Sequence, residues 1–378
     1  MKSKICDKLG MEFPLFAFTH CRDVVAAVSN AGGFGVLGAV GHTPESLEIE
    51  LNWIDKHVDG NPYGVDLLIP NKIDAKGEMP TVSEVEARIP PEHRAYISKL
   101  LVDYGLDVDN LWRRDNGAHY GENLRPEGAK RLLDVAFAHP IKLIVNALGV
   151  PPDFMMEQAR ANGVAVGALT GAREHALKHA DAGVDILIVS GTEAGGHCGE
   201  ISTMVLVPEV LEAIEPFPHM FALAAGGIAT GRQMAACMAM GAAGVWTGSV
   251  WLTTVEAETT PTVKEKMLAA RSRNTVRSRS RTGKPTRQLQ SAWTDAWAAE
   301  GAPDPLPMPL QGVISKPAML KIDKLAATGH EGAKELATYY VGQAVGLMNS
   351  EQSARSVVYD FMRDYADAAE RLAATLED

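Results

Sequence analysis

The chain has 378 residues, 46% of them hydrophobic and 22% charged, with a formal net charge of −11. That length suits two domains or one large α/β barrel with insertions, and it can bury a core sufficient for independent stability. The acidic balance argues against a general affinity for nucleic acid or for an anionic membrane surface.

Apolar runs of strand length alternate with amphipathic stretches of helix length, the mark of repeated βα units. Residues 13–18 read as a first strand and 22–31 as its helix; 34–39 form a second strand. The next helix opens at Thr43-Pro44-Glu45, with Thr43 as N-cap and Pro44 in the first helical position. A third strand spans 63–69, after which 70–123 is polar, proline-bearing and too long for an ordinary βα loop, so it reads as a partly helical insertion. Alternation resumes with a helix over 125–138 and strands at 142–146, 164–169, 185–189, 220–224 and 244–247. Helices near 152–161, 172–182, 208–214 and 231–240 fill the gaps, and 301–317 is a Pro/Gly-rich stretch before a helical tail over 331–376.

Eight strands with helices between them predict an α/β fold, a closed (β/α)8 TIM barrel, rather than an open sheet. The expected organisation is a barrel from 1–70 and 124–260, an insertion over 71–123, and an arginine-rich segment with a helical C-terminal extension over 261–378.

In such barrels the reactive face lies at the C-terminal ends of the strands. After strand seven comes AAGGIATG (224–231) and after strand eight TGS (247–249). Glycines there let backbone N–H groups approach an anion, a following helix start adds a favourable dipole, and these two loops are the usual phosphate seat. The loop after strand six, VSGTEAGGHCGEIST (189–203), faces the same mouth. Its Gly191, Gly195, Gly196 and Gly199 permit positive φ and close approach to a flat ligand, and His197 can exchange a proton near pH 7. Glu193 and Glu200 are placed either to orient the imidazole or to be solvated. Cys198 has no second histidine, beyond the adjacent His197, and no basic group near it in the sequence to make it a nucleophile.

The basic run RSRNTVRSRSRTGKPTR (271–287) reads as a solvated or subunit-facing surface, or as a seat for an anionic substrate or coenzyme such as a CoA or NADPH phosphate. In the second reading Arg277, Arg279, Arg281 and Lys284 carry it, because guanidinium forks suit phosphate. The four cysteines (Cys6, Cys21, Cys198, Cys237) make no CxxC pair and no metal-ligand spacing, which suits a reducing cytosol. The start, MKSKICDKLGMEF, lacks a signal peptide's apolar core, and no run approaches the ~18 apolar residues of a membrane span. A cytoplasmic location is the expectation.

The run GTEAGGHCGE, followed by AAGGIATG and GVWTGS, resembles the nitronate monooxygenase family, formerly the 2-nitropropane dioxygenases. That superfamily also holds flavin-type enoyl-acyl carrier protein reductases and NADH:quinone reductases. The resemblance runs from Phe13-Pro14 through VSNAGG (28–33) to about Trp251 and returns at VGQAVG (341–346). It implies an FMN-binding barrel. The FMN phosphate would meet Gly195, Gly227, Gly248 and Ser249, with Gly196 and Gly226 in the same loops and Trp246 and Thr247 in the strand-eight turn. Ala17-Phe18-Thr19 would supply backbone at the isoalloxazine, and His197 matches the catalytic histidine. Asp66 stands where the family's PFGVN strand has asparagine, and Ser190 where many members carry glutamine. A shortened first loop brings His20 near the flavin, a substrate-side candidate with Arg277 and Arg279.

The implied activity is an FMN-dependent oxidoreductase that oxidises an alkyl nitronate with O2 to a carbonyl compound and nitrite. Two alternatives stand beside it: an NAD(P)H-dependent flavin reductase acting on a quinone or enoyl thioester, and a flavin-binding barrel without turnover. The expected partners are a small-molecule substrate, O2 and, in the reductase reading, NAD(P)H; a homo-oligomer is left open.

Overall fold

The computed structural model describes residues 3–69, 82–112, 123 and 126–376. Short apolar strands build the barrel: β1 (Leu15–Thr19), β2 (Phe34–Gly38), β3 (Tyr63–Leu67), β4 (Leu143–Asn146), β5 (Ala165–Thr170) and β6 (Ile186–Ser190). After a two-residue strand β7 (Gly196–His197) outside the barrel, β8 (Phe221–Ala225) and β9 (Gly244–Thr247) complete it. All neighbours are parallel, and β9 closes onto β1 through Phe16 opposite Trp246. The period of two sends Phe16, Phe34, Val36, Leu143, Val145, Ile186, Ile188, Leu223 and Trp246 into the barrel. The short α1 (Lys4–Leu9) plugs the N-terminal end with Ile5 and Leu9, so the interior is a packed core with its opening at the other end.

The outer ring consists of α2 (Arg22–Asn30), α3 (Pro44–His57), and, beyond two helices of the insertion, α6 (Pro126–Phe137), α7 (Asp153–Asn162), α8 (Arg173–Asp181), α9 (Thr203–Ile214) and α10 (Gly231–Ala239). Helix α3 starts as expected: Thr43 Oγ1 accepts from the Ser46 N–H (3.2 Å) and Ser46 Oγ accepts from the Thr43 N–H (2.9 Å). Helix α9 begins at Thr203, five residues before the sequence expectation, with Pro208 inside it. Leu206, Val207, Val210 and Ile214 recur at helical spacing and are buried, and the Glu193 carboxylate accepts from the Thr203 N–H at the helix start (3.0 Å).

The described helices of the insertion, α4 (Val82–Ala87) and α5 (Pro91–Asp103), share one apolar core with the C-terminal extension. The extension contributes α11 (Pro261–Ala269), an antiparallel hairpin of β10 (Thr275–Ser278) and β11 (Thr286–Leu289), α12 (Ala292–Ala298), α13 (Leu310–Ala327) and α14 (Glu331–Leu336). Ile97, Leu101, Met267, Trp293, Ile314 and Ile322 meet there. Ile97→Ala is therefore expected to destabilise the protein by about 2–5 kcal/mol, the usual cost of such a buried truncation. Urea unfolding measures it, and a change within error would show that the shared core carries little of the stability.

In the extension α13 starts within the Pro/Gly-rich stretch, at Leu310, and runs through Pro317, because Leu310, Ile314, Ala318, Ile322 and Ala326, four apart, all bury. The expected helical tail over 331–376 needs correction. The tail is two helices, not one. Helix α14 ends at Leu336, 337–353 crosses the barrel rim, and α15 (Ala354–Ala374) then packs on α10. Gly231 permits that packing, since a Cβ there would lie 1.9 Å from the Phe361 carbonyl oxygen. Among the described residues no helix is long and apolar enough to cross a membrane.

Candidate active site

Ala17, Phe18 and Thr19 end β1 at the mouth. Ala17 points outward and is fully buried, so it offers the mouth only backbone. Phe18 points inward over Trp246 at 6.0 Å, and the two rings floor the mouth. Thr19 Oγ1 accepts from the Cys21 N–H (3.1 Å). His20 lays its ring edge on Phe18 at 5.2 Å, and its Nδ1–H donates to the Gly38 carbonyl (2.8 Å). Asp66 ends the inward face of β3, opposite Gly38 and Val145, while Ser190 ends β6 opposite Ala225.

The loops after β8 and β9 sit at the rim, with distinct local reasons for each glycine. Gly226 and Gly227 adopt φ of 99° and 70°, which only glycine holds without strain. Gly248 does not need positive φ, and a Cβ on it would find only Phe18 Cδ1, at 4.0 Å. Ser249 opens a 3-10 turn (Ser249–Thr253), so its first N–H groups have no acceptor within that turn. Thr247 turns its hydroxyl away, donating to the Phe16 carbonyl (2.8 Å) and accepting from the Trp251 indole (2.9 Å). The dipole expected from the helix after strand seven is taken up elsewhere. Thr230 caps α10, and the Arg232 N–H donates to Asp364 (2.8 Å).

In the strand-six loop only Gly196, at φ 75°, uses the positive-φ freedom foreseen for four glycines. Gly191 and Gly195 are required by crowding instead: a Cβ would fall 2.2 Å from Thr203 Oγ1 and 2.8 Å from the Gly342 nitrogen, respectively. The second contact locates the tail motif. The Gly342 N–H donates to Ser249 Oγ (2.8 Å) and the Gln343 N–H to the Glu193 carbonyl (2.9 Å), which ties 341–346 across two rim loops.

The arginine-rich run is the hairpin β10–β11, and it pairs directly with β7: Thr286 lies opposite His197 and Arg287 opposite Gly196. The catalytic candidate thus sits on an edge strand fixed by a segment some ninety positions later. Arg287 is buried, donating to the Thr192 carbonyl (2.9 Å) and to Thr275 Oγ1 (3.2 Å). Arg279 is committed to the Gly283 carbonyl (3.1 Å) inside the hairpin loop and to the Pro305 carbonyl (3.0 Å) beyond the hairpin. Arg281 lies over the Tyr340 ring at 4.2 Å. Arg277 approaches Glu200 at 3.9 Å, and Lys284 stands exposed on the hairpin. These two cations are the run's contribution beside His197.

Neither glutamate orients the imidazole; Thr282 does. Its Oγ1 donates to the Lys284 carbonyl (3.1 Å) and so accepts from His197 Nε2–H (3.0 Å), which leaves the lone pair of the neutral ring on Nδ1. The ring is exposed at the rim, yet the hairpin strips part of its hydration. That desolvation, with the Lys284 charge second, holds the His197 pKa below the usual 6.5. Neutral imidazole therefore persists to more acid pH than in an ordinary histidine. Lys284→Ala removes the repelling charge and should move the acid limb of the kcat/KM–pH profile to higher pH. An unmoved limb would mean that Lys284 does not act on His197.

The mouth offers open glycine backbone at two adjacent loops, an aromatic floor and a basic imidazole. Those features fit a flat cofactor with an anionic tail, and Gly248 and Gly227 are where a side chain would close the cradle. A barrel with that mouth suits an oxidoreductase that works with a flavin.

The family model for nitronate monooxygenase matches residues 3–364. The chain belongs to the nitronate monooxygenase family. It is 53% identical over 373 residues to the Mycobacterium tuberculosis protein named "Putative monooxygenase Rv1533", covering 98% of each chain. Its fold is shared with nitroalkane oxidase from Streptomyces ansochromogenes, at TM-score 0.78, 23% identity and 98% and 100% coverage. FabK from Thermotoga maritima shares it too, at TM-score 0.72, 24% identity and 99% coverage of each chain.

Proposed function

We propose that this enzyme binds FMN and oxidises an alkyl nitronate with O2 to a carbonyl compound and nitrite. The observation that carries the reading is the placement of His197. A neutral, partly desolvated imidazole with its lone pair on Nδ1 stands on a rigid edge strand beside the glycine rim. Gly195, Gly196, Gly226, Gly227, Gly248 and Ser249 would hold the cofactor through backbone amides, and Ala17–Thr19 would border its ring. Held there, FMN would supply the redox chemistry that couples substrate oxidation to O2. His197 Nδ1 would take the carbon-bound proton of a neutral nitroalkane; protonated, the same ring would neutralise an anionic nitronate. Thr282 keeps the imidazole in that tautomer, and the 341–346 crossing ties the rim loops beside it through Gly342 and Ser249.

One observation favours a second reading. Arg277 and Lys284 beside His197 suit an anionic electron donor such as NAD(P)H, with a quinone or enoyl thioester as acceptor. Anaerobic mixing separates the two. Bleaching of the flavin by a nitronate alone is the expected result, whereas bleaching by NADH or NADPH and not by nitronates would replace this function with the reductase.

A further inference from the structure

Asp66 sits where strand geometry aims a side chain at the mouth. Its register partners are Gly38 on β2 and Val145 on β4, and Val36 and Val145 both point into the barrel. The alternate β3 residues Val65 and Leu67 pack outward. Asp66 is thus the last inward residue of its strand, and it is only 5% exposed.

Its surroundings hold no charge to pair with it. On β2 the neighbour is Gly38, whose carbonyl is already bound by His20 Nδ1–H. On β4 the neighbour is Val145, while the Asn146 amide serves Ile69. Phe18 and Trp246 supply aromatic surface beyond. Among the described residues no cation and no hydrogen-bond donor reaches the carboxyl. Isolating an ionised carboxylate in such a place is costly, so the group takes up a proton instead. Burial alone pushes the Asp66 carboxyl well above the usual carboxylate range. A carboxylic acid is in turn a hydrogen-bond donor, and strand register aims this one at the mouth.

We propose that Asp66 is a neutral carboxylic acid in the working enzyme and donates its proton in a hydrogen bond to the isoalloxazine. This rests on the flavin reading above. The acid supplies a donor without adding negative charge beside a ring that gains electron density on reduction. It thereby supports the reduced state, where an ionised Asp66 would oppose it.

Asp66→Asn exchanges one neutral donor for another of nearly equal shape, which makes it the discriminating variant. Potentiometric titration of the FMN-loaded full-length chain at pH 7 should give the same two-electron potential for wild type and D66N. A clearly higher potential in D66N would show that a negative charge had been removed, and would overturn the proposal. A second comparison needs no flavin: urea unfolding of both full-length chains with flavin withheld, from pH 4 to 8. In the unfolded chain Asp66 ionises from about 3.8 upward, while in the folded chain it stays protonated. The wild-type unfolding constant should therefore rise relative to D66N by up to about tenfold per pH unit until the folded pKa is reached. A wild-type to D66N ratio that does not change with pH would overturn the proposal. If D66N does not fold, infrared spectra of the wild type decide it: a protonated-carboxyl band persisting at pH 7 supports the acid, and its absence overturns it. A chain that takes up no flavin defeats the cofactor reading, while the unfolding and infrared comparisons still report on the Asp66 proton.

Discussion

His197→Ala should lower turnover by about 10²–10⁴-fold, the range for loss of an acid–base group, while flavin content stays near that of wild type. The fold should tolerate the change. Residues 196 and 197 pair with β11 through backbone hydrogen bonds, and the His197 ring is exposed, so its loss leaves little cavity. The effect should depend on pH in a defined sense. With a neutral nitroalkane as substrate only neutral imidazole acts as the base, and partial desolvation and Lys284 hold its pKa below 6.5, so wild-type kcat/KM for that substrate should fall only below that value. The variant should lose this limb. Wild-type-like turnover in His197→Ala would remove the histidine from the chemistry. Equal loss of flavin and turnover would make it a cofactor-holding residue.

Gly248→Asp should abolish flavin retention without unfolding the protein. Gly248 is the better of two glycines for this test. At Gly227 any side chain meets positive φ and a Glu193 Cβ at 2.9 Å, so strain and charge would act together. At Gly248 φ is negative, at −128°, and the nearest heavy atom to a new Cβ is 4.0 Å away. The added carboxylate would then face the cofactor phosphate with little else changed. Two like charges about 4 Å apart at an effective dielectric near 20 cost roughly 4 kcal/mol, or about a thousandfold in affinity. Fluorescence titration with FMN, together with circular dichroism as the folding control, reads both halves. Unchanged FMN affinity in a folded Gly248→Asp protein would place the phosphate elsewhere.

The barrel was legible because its strands are short, buried and separated by amphipathic helices. All eight fall within two residues of the expected bounds, and Thr43-Pro44 caps α3 as its residue types require. The rim glycines were legible as a group, but the reason for each was not: crowding at Gly191 and Gly195 depends on Thr203 and Gly342, which the local sequence does not reveal. The partner of His197 was missed for the same cause. Thr282 lies 85 positions away, inside a run whose arginines suggested an exposed arm. The usable signal was the β-branched pair Thr275-Val276, which favours a strand at the start of β10. Helix α13 was obscured by Pro317 and the prolines before it, although its four-residue apolar spacing was present throughout. The interruption of the tail at 337–353 follows from a tertiary role, since Gly342 and Gln343 there leave the α-helical path to bond Ser249 and Glu193.

The account stands on an FMN phosphate held by the rim loops opposite His197. The most direct test is the visible spectrum of the purified full-length chain, followed by denaturation and identification of the released chromophore. The predicted result is a yellow protein with stoichiometric flavin, released as FMN. A colourless chain that does not take up added FMN would contradict it.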